Sequence, residues 1–259
     1  MADSGLFDLT GKVALITGGT KGMGLSMATG LAQHGATVIT SSRSQEASDA
    51  AAAAINDVVG TTRAHGIACN AGYKEQLQAL VDKTRADHGA ADIVISNAGV
   101  NPHYGPSADI SDEQYDKTMN VNVKSNHWLG HMVAPDMAAK GGGSIMITAS
   151  VGAFHESVEL GTYCVSKLAV LGVMRNLALE YGAGGVRVNA ICPAIIKTDF
   201  AKALWENPKA EAAAIKRVPL GRLGEPDDLK GLAVYLASDA SRYITGQAHS
   251  VCGGGYMYR

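Results

Sequence analysis

A tyrosine and a lysine four residues apart form the clearest chemical pair in the sequence. Tyr163 and Lys167 lie in a stretch with helical spacing, so their side chains are expected on one helix face. A free phenol has a pKa near 10 and is a poor acid or base at neutral pH, but a neighbouring ammonium lowers that pKa. Ser150 precedes the tyrosine by thirteen residues and can hold a substrate oxygen beside the phenol. These three side chains predict proton transfer at a carbonyl or alcohol oxygen.

A glycine-rich turn gives a second chemical signal. The run Thr17-Gly18-Gly19-Thr20-Lys21-Gly22-Met23-Gly24 follows the first predicted strand and opens the first predicted helix. Glycines let the backbone approach a pyrophosphate closely, and a helix N-terminus adds free N–H groups and a positive dipole end. Between a strand and a helix, such a turn predicts a dinucleotide site.

The end of the second predicted strand bears on which dinucleotide binds. A carboxylate there would accept hydrogen bonds from the ribose 2′-OH of NAD, and the sequence has none. Instead it has Ser42 and Arg43, and a second cation, Lys21, lies in the glycine turn. Two cations and a hydroxyl favour a 2′-phosphate, so NADP(H) is predicted over NAD(H). The alternative is that Arg43 simply faces solvent.

Apolar runs of strand length alternate with segments of helical period along the chain, as in a doubly wound parallel sheet. The sequence therefore predicts a single-domain α/β Rossmann-type fold, with about seven parallel strands and helices on both faces. The predicted strands are residues 12–17, 37–41, 66–69, 92–96, 143–149, 186–191 and 247–251. The predicted helices are residues 25–34, 45–58, 74–88, 112–119, 123–139, 161–181 and 227–237. Residues 195–219 show no strand pattern and are predicted to form a substrate lid within residues 1–259.

Composition restricts the class of protein. The 259 residues carry a formal net charge of −2, with 46% hydrophobic and 18% charged residues, which predicts a folded domain and no nucleic-acid or membrane partner. No run approaches the roughly 18 apolar residues of a membrane span. The four cysteines form no C-x-x-C pair or metal-ligand spacing. We therefore expect reduced thiols, no metal site and, without a secretory signal, a cytoplasmic location.

Taken together, these motifs resemble the short-chain dehydrogenase/reductase (SDR) family over residues 11–255. The T-G-x-x-x-G-x-G turn, Asn97-Ala98-Gly99, Asn122, Ser150 and the Tyr163/Lys167 pair follow the family's order and spacing. The resemblance implies an NADP(H)-dependent oxidoreductase that moves a hydride between nicotinamide and a carbonyl or secondary alcohol, with Tyr163 as general acid/base. It also implies a homotetramer or homodimer. Segments such as Arg222-Leu223-Gly224-Glu225-Pro226 are most similar to the NADP-dependent carbonyl and retinol reductase subgroup.

The resemblance further implies roles for single residues. Asn122 would hold a water that links Lys167 to solvent, although spacing alone leaves Asn120 as a competing candidate. Three positions depart from the family pattern: Asn70 and Cys252 stand where an aspartate is usual, and Ala194 follows Pro193 where glycine is usual. The cofactor contacts that the resemblance implies are Gly18, Thr20, Lys21, Gly22, Met23, Gly24, Ser42, Arg43, Asn70, Asn97, Ala98, Gly99, Tyr163, Lys167, Pro193, Ile196 and Thr198.

Two other functions remain open at this level. A 3-oxoacyl thioester reductase would use the same residues. A non-catalytic nucleotide-binding scaffold would be expected to lack the tyrosine, lysine or serine, and all three are present. The side chains expected near the substrate are a mixture of aromatic, apolar and imidazole groups, which predicts a medium-sized, partly apolar carbonyl compound. These candidate residues are His103, Tyr104, His155, Glu156, Val158, Leu160, Leu204 and Trp205.

Overall fold

The computed structural model describes residues 5–257, which contain seven strands and nine α-helices. The strands are β1 Val13–Thr17, β2 Thr37–Ser42, β3 Ala64–Ala68, β4 Ile93–Ser96, β5 Gly143–Thr148, β6 Val186–Pro193 and β7 Ala248–Val251. The helices are α1 Gly22–Gln33, α2 Gln45–Val59, α3 Lys74–His88, α4 Asp112–Met119, α5 Ser125–Ala139, α6 Gly161–Tyr181, α7 Lys202–Trp205, α8 Pro208–Ile215 and α9 Lys230–Ala237.

The seven strands form one parallel sheet in the order β3-β2-β1-β4-β5-β6-β7. This confirms the predicted single-domain, doubly wound Rossmann-type fold. The chain winds outward in one direction from β1 to β3 and in the other from β4 to β7. The crevice between β1 and β4 is therefore the topological switch point, where open α/β sheets bind their ligands.

Each face of the sheet is covered by three helices, because consecutive strand residues point to opposite faces. In β1, Leu15 packs into the core under α3, α5 and α6, and Ile16 packs into the core under α1, α2 and α9. Both side chains are fully buried. Burial of such a side chain contributes about 1.5–3 kcal/mol. The two cores hold the sheet rigid and so fix the strand ends that carry the site.

The segment 195–219 contains helices that the sequence analysis missed. Its second helix, α8, has Asn207 as N-cap, whose side chain accepts a hydrogen bond from the Lys209 N–H at 2.9 Å, and Pro208 at the first helical position. Asn-Pro before an alanine-rich run is a helix-start signal that was available in the sequence. The predicted break between α4 and α5 was also wrong, because a π-helical segment, Asn120–Lys124, joins them.

Across residues 5–257, no helix is both long enough and apolar enough to cross a bilayer. All four cysteines are free.

Candidate active site

A cleft of about 2020 Å³ opens along the edge where β1, β4, β5 and β6 end. Its floor includes Gly18 after β1, Asn97 after β4 and Ser150 after β5. Residues from the 195–219 segment and from the start of α6 form further walls. The cleft therefore brings the glycine turn and the tyrosine–lysine pair to one place, at the switch point of the sheet.

Backbone geometry makes glycine necessary in the turn. Gly18 and Gly22 have φ values of 63° and 50°, in the left-handed region that other residues rarely adopt. A Cβ added at Gly24 would collide with the Gly18 carbonyl oxygen. The turn leads directly into α1. The N-cap residue of this helix, Lys21, makes no side-chain hydrogen bond to the first N–H groups. A close-packed glycine cradle at a helix N-terminus fits the pyrophosphate of a dinucleotide.

Most of the predicted cofactor residues line this cleft. Thr20 and Gly24 do not, and Gly24 instead lies against the Gly18 backbone. Ala194, where the family has glycine, adopts no positive φ, so the substitution leaves this loop without strain. The predicted residues that line the cleft are Gly18, Lys21, Gly22, Met23, Ser42, Arg43, Asn70, Asn97, Ala98, Gly99, Tyr163, Lys167, Pro193, Ile196 and Thr198.

Two cations stand in the cleft next to the ends of β1 and β2. Lys21 and Arg43 are both exposed, and neither forms an ion pair within residues 5–257. Ser42 is the last residue of β2, and its hydroxyl donates to the Ser44 carbonyl at 3.2 Å. The two unpaired charges are free to bind an anion.

Helix α6 positions the proposed acid/base pair within one turn. Lys167 is 4% exposed, and its Nζ lies 5.5 Å from the centre of the Tyr163 ring. The same Nζ donates to the Thr148 carbonyl at 2.8 Å, which fixes the ammonium at the end of β5. Ser150 Oγ accepts a hydrogen bond from the Gly152 N–H at 3.0 Å and faces the phenol.

Burial controls the protonation of both groups. It raises the pKa of Tyr163 to about 12, against a smaller lowering by the Ser150 hydrogen bond. It also lowers the pKa of Lys167 to about 8. The expected lowering of the Tyr163 pKa by Lys167 is therefore not found, because loss of hydration is the largest effect and the group that opposes it is Ser150. The phenol therefore carries its proton at neutral pH, and the raised pKa makes it a weaker acid than a free phenol.

Asn122 is fully buried in the π-helical segment and does not line the cleft. Its Oδ1 accepts from the Val100 N–H at 2.8 Å, and its Nδ2 donates to the Val100 carbonyl at 2.9 Å and to Ser166 Oγ at 3.0 Å. It thus ties the loop after β4 to α6. Asn120 does line the cleft, and its Nδ2 donates to the Gly72 carbonyl at 2.7 Å. The two asparagines therefore have different surroundings: Asn120 lines the cleft, and Asn122 is buried between the Val100 loop and α6.

Two threonines that the sequence analysis did not single out connect the strand ends. Thr17 Oγ1 accepts from the N–H groups of Asn97 at 3.2 Å and Ala98 at 3.3 Å. Thr148 Oγ1 donates to Asn97 Oδ1 at 3.1 Å, and Asn97 Nδ2 donates to the Gly18 carbonyl at 2.9 Å. This network joins the glycine turn, β4 and β5. The only sequence signal for it was a threonine at the end of each flanking strand.

The predicted substrate residues divide into two groups. Tyr104, His155, Leu160 and Leu204 line the cleft, whereas His103, Glu156, Val158 and Trp205 do not. The Trp205 Nε1–H donates to the Thr198 carbonyl at 3.2 Å, so this indole braces the lid. Two aromatic residues were missed. Phe200 lies with its ring centre 6.3 Å from that of Tyr163, and Tyr256 stacks on Phe154 at 4.9 Å.

Comparison with known proteins identifies the family. A family model described as enoyl-(acyl carrier protein) reductase matches residues 18–256. A protein named dehydrogenase/reductase SDR family member 4, from Oryctolagus cuniculus, is 42% identical over 98% of both chains. The chain belongs to the short-chain dehydrogenase/reductase family. The Homo sapiens protein of the same name is 40% identical, covering 98% of this chain and 92% of its own.

Solved SDR structures share the whole fold. A 7α-hydroxysteroid dehydrogenase complexed with NADH and 7-oxo glycochenodeoxycholic acid superposes with a TM-score of 0.93 at 32% identity, covering 100% of this chain and 99% of its own. A gluconate 5-dehydrogenase from Burkholderia cenocepacia, in complex with NADP and tartrate, gives 0.91 at 31% identity and 96% coverage of both chains. This SDR is accordingly an NAD(P)-dependent oxidoreductase that acts on carbonyl and alcohol groups.

The buried lysine of this SDR gives a measurable pH effect on stability. Burial lowers the pKa of Lys167 from 10.5 to about 8, so between these values the unfolded chain binds more protons than the folded one. The contribution of Lys167 to the free energy of unfolding therefore rises with pH across that window. Between about pH 7.5 and 9.5, the wild type is expected to gain about 1–2 kcal/mol of unfolding free energy relative to Lys167→Met. Urea unfolding of the cofactor-free proteins at both pH values measures this gain.

The control for this measurement is Lys216→Met, which removes an exposed lysine. The difference in unfolding free energy between Lys216→Met and the wild type should stay constant with pH. A constant difference for Lys167→Met as well would contradict the pKa that the structure assigns to Lys167.

Proposed function

We propose that this SDR reduces a ketone or aldehyde with NADPH, and that Tyr163 is the general acid. The observation that carries the proposal is geometric: the Tyr163 phenol lies beside Ser150 and Lys167 in the cleft that also contains the glycine turn. An alkoxide is a much stronger base than a phenolate, so the phenol can give its proton to the alkoxide that forms during reduction. Oxidation of the alcohol would need the phenolate and so would be favoured at alkaline pH.

The chain's own residues perform the proton chemistry. Bound nicotinamide supplies the hydride that the carbonyl carbon receives. Ser150 Oγ donates a hydrogen bond to the carbonyl oxygen and orients it towards Tyr163. As negative charge develops on that oxygen, Tyr163 donates its phenolic proton, which yields the alcohol. The reverse sequence returns the proton to the phenolate during alcohol oxidation.

Lys167 and Asn122 support this step in different ways. Lys167 is proposed to hold the nicotinamide ribose and to assist return of the proton to Tyr163. Among the described residues, one of its N–H groups is used, in the bond to Thr148, so two remain for these contacts. Asn122 is proposed as a positioning residue, because its hydrogen bonds hold the Val100 loop against α6 beneath Lys167. A water that links Asn122 to Lys167 stays a prediction.

The preference for NADP(H) rests on Lys21 and Arg43. Both line the cleft, both are free of ion pairs among the described residues, and the acid that would favour NAD is replaced by Ser42. A guanidinium binds phosphate oxygens in a fork, and an ammonium adds a point charge. The two cations together therefore support binding of the 2′-phosphate.

Arg43→Gln is expected to lower kcat/KM for NADPH by about tenfold, the loss of roughly one charge-assisted hydrogen bond, and to leave NADH unchanged. Lys12→Gln removes an exposed lysine outside the cleft and serves as the matched control. Initial rates with both nucleotides, on a panel of ketones, aldehydes and quinones, measure these values. A wild-type preference for NADH of about fivefold or more, close to 1 kcal/mol, would overturn the cofactor proposal.

The second candidate function is reduction of a 3-oxoacyl thioester, which would use the same residues. The matching family model is described as an enoyl-(acyl carrier protein) reductase, which suggests a thioester substrate but a different reacting bond, so 3-oxoacyl and enoyl thioesters both belong in the panel. Residues 195–219 are proposed to close over a medium-sized, partly apolar substrate, because Ile195, Phe200 and Leu204 line the cleft from this segment. A homotetramer or homodimer and a cytoplasmic location stay predictions.

A further inference from the structure

The lid side of the cleft carries three cations, and two of them are already paired. Lys197 Nζ lies 2.7 Å from Glu211 Oε1. Arg222 makes a two-pronged contact with Asp228, at 2.6 and 2.8 Å. The third, Arg217, has no ion pair and no side-chain hydrogen bond with any residue in the range 5–257. Arg217 is therefore the unsatisfied cation of this wall.

Arg217 stands among apolar groups that line the same part of the cleft. It follows α8, and its neighbours along the wall are Val218, Leu220 and Tyr256. Arg217 is exposed, so its guanidinium is free to bind an anion that enters this part of the cleft. Tyr256 also stacks on Phe154, which follows the short helix after Ser150. Phe154 itself does not line the cleft, so the apolar lining next to Arg217 consists of Val218, Leu220 and Tyr256.

The one acidic side chain on this wall without a partner, among the described residues, lies at the other end. Asp199 lines the cleft directly before Phe200, whose ring lies 6.3 Å from that of Tyr163. A substrate carboxylate that binds beside Asp199 would be repelled, because like charges repel. An anion at the far end of an apolar substrate would instead meet Arg217.

We propose that Arg217 is a specificity residue that binds a carboxylate at the far end of the substrate. The preferred substrate is then an oxo acid whose carbonyl and carboxylate are separated by an apolar chain or ring. This inference rests on the proposed carbonyl reduction and deepens it. The apolar body lies along the wall, the carbonyl lies at Tyr163 and Ser150, and the guanidinium holds the carboxylate in a two-pronged contact.

The test uses a homologous series of methyl ketones that carry a terminal carboxylate, each paired with its neutral methyl ester. Reduction by NADPH is followed for the wild type and for Arg217→Gln. Lys216→Gln is the matched control, because it removes a neighbouring exposed cation that does not line the cleft. For the chain length that fits, the wild type should prefer the acid to its ester by about tenfold in kcat/KM, a contribution typical of one charge-assisted bidentate contact.

In Arg217→Gln that preference should disappear through a higher KM for the acid, with the ester and NADPH unaffected. Lys216→Gln should keep the preference, and added salt should reduce it in the wild type. The inference is overturned if the wild type prefers no acid of any length over its ester. It is also overturned if Arg217→Gln lowers kcat/KM equally for acid and ester, or if Lys216→Gln behaves like Arg217→Gln. Turnover of the neutral esters reports on carbonyl reduction itself. If it is absent in the wild type, the proposed function fails; if it is present, only the role of Arg217 is at issue.

Discussion

Replacement of Tyr163 by phenylalanine should lower kcat by roughly 100- to 10,000-fold, the usual contribution of a general acid, while Kd for NADPH changes by less than about twofold. The variant keeps the ring that packs beside Phe200 and Lys167 and removes only the hydroxyl. That hydroxyl is the proton source for the developing alkoxide, and Ser150 can orient the substrate oxygen but cannot replace it. Steady-state rates and titration of NADPH fluorescence measure the two quantities.

The control for this variant lies on the same helix. Tyr181 is the last residue of α6, and its hydroxyl lies 3.0 Å from His131 Nδ1, outside the cleft. Tyr181→Phe therefore loses a comparable hydrogen bond without touching the site, and its kcat should match the wild type. Turnover by Tyr163→Phe within about threefold of the wild type would remove Tyr163 from the mechanism.

Replacement of Gly24 by alanine should abolish nucleotide binding at ordinary cofactor concentrations. The added Cβ collides with the Gly18 carbonyl oxygen and crowds Asn97 Nδ2, and the first of these is backbone that must move. Displacement of Gly18 opens the cradle and breaks the bond from Asn97 that positions it. We expect Kd for NADPH to rise by about 100-fold or more, a cost of about 3 kcal/mol, as measured by calorimetry.

A second glycine separates this effect from a general cost of alanine in helices. Gly172 lies on the exposed face of α6, and a Cβ there meets no atom within 4 Å. Gly172→Ala should bind NADPH like the wild type and should gain about 0.5–1 kcal/mol of unfolding free energy. Circular dichroism and thermal unfolding establish that Gly24→Ala is folded. Tight NADPH binding by a folded Gly24→Ala would contradict the role of the turn.

The sheet was predictable because its strands are buried on both faces. Runs such as Val13–Thr17 are apolar throughout, and the helical period between them fixes the parallel, doubly wound topology. The lid helices were missed because their segment has no apolar stripe, and only the Asn207 cap marked α8. The π-helical segment around Asn122 could not be predicted either. It shifts the helical period between α4 and α5, and the sequence pattern of such a shift is the same as that of a break between two separate helices.

The positions of the site residues followed from the sequence, but their chemistry only in part. Helical spacing places Tyr163 beside Lys167, as the structure has them. Spacing carries no information on burial, and burial reverses the direction expected for the pKa of Tyr163. The placement of Arg217 and Tyr256 in the same cleft depends on how the lid packs against the C-terminal segment. No local pattern encodes that contact.

The most direct test of the account is the fate of the hydrogen that NADPH delivers. NADPH deuterated at the transferring position of nicotinamide C4 is incubated with the enzyme and the ketone and thioester panel, and the products are analysed by mass spectrometry and NMR. The account predicts one deuterium on the carbinol carbon of a product alcohol, at a rate that collapses in Tyr163→Phe. Deuterium on a saturated carbon beside an intact carbonyl, or no transfer from NADPH to any carbonyl, would contradict it.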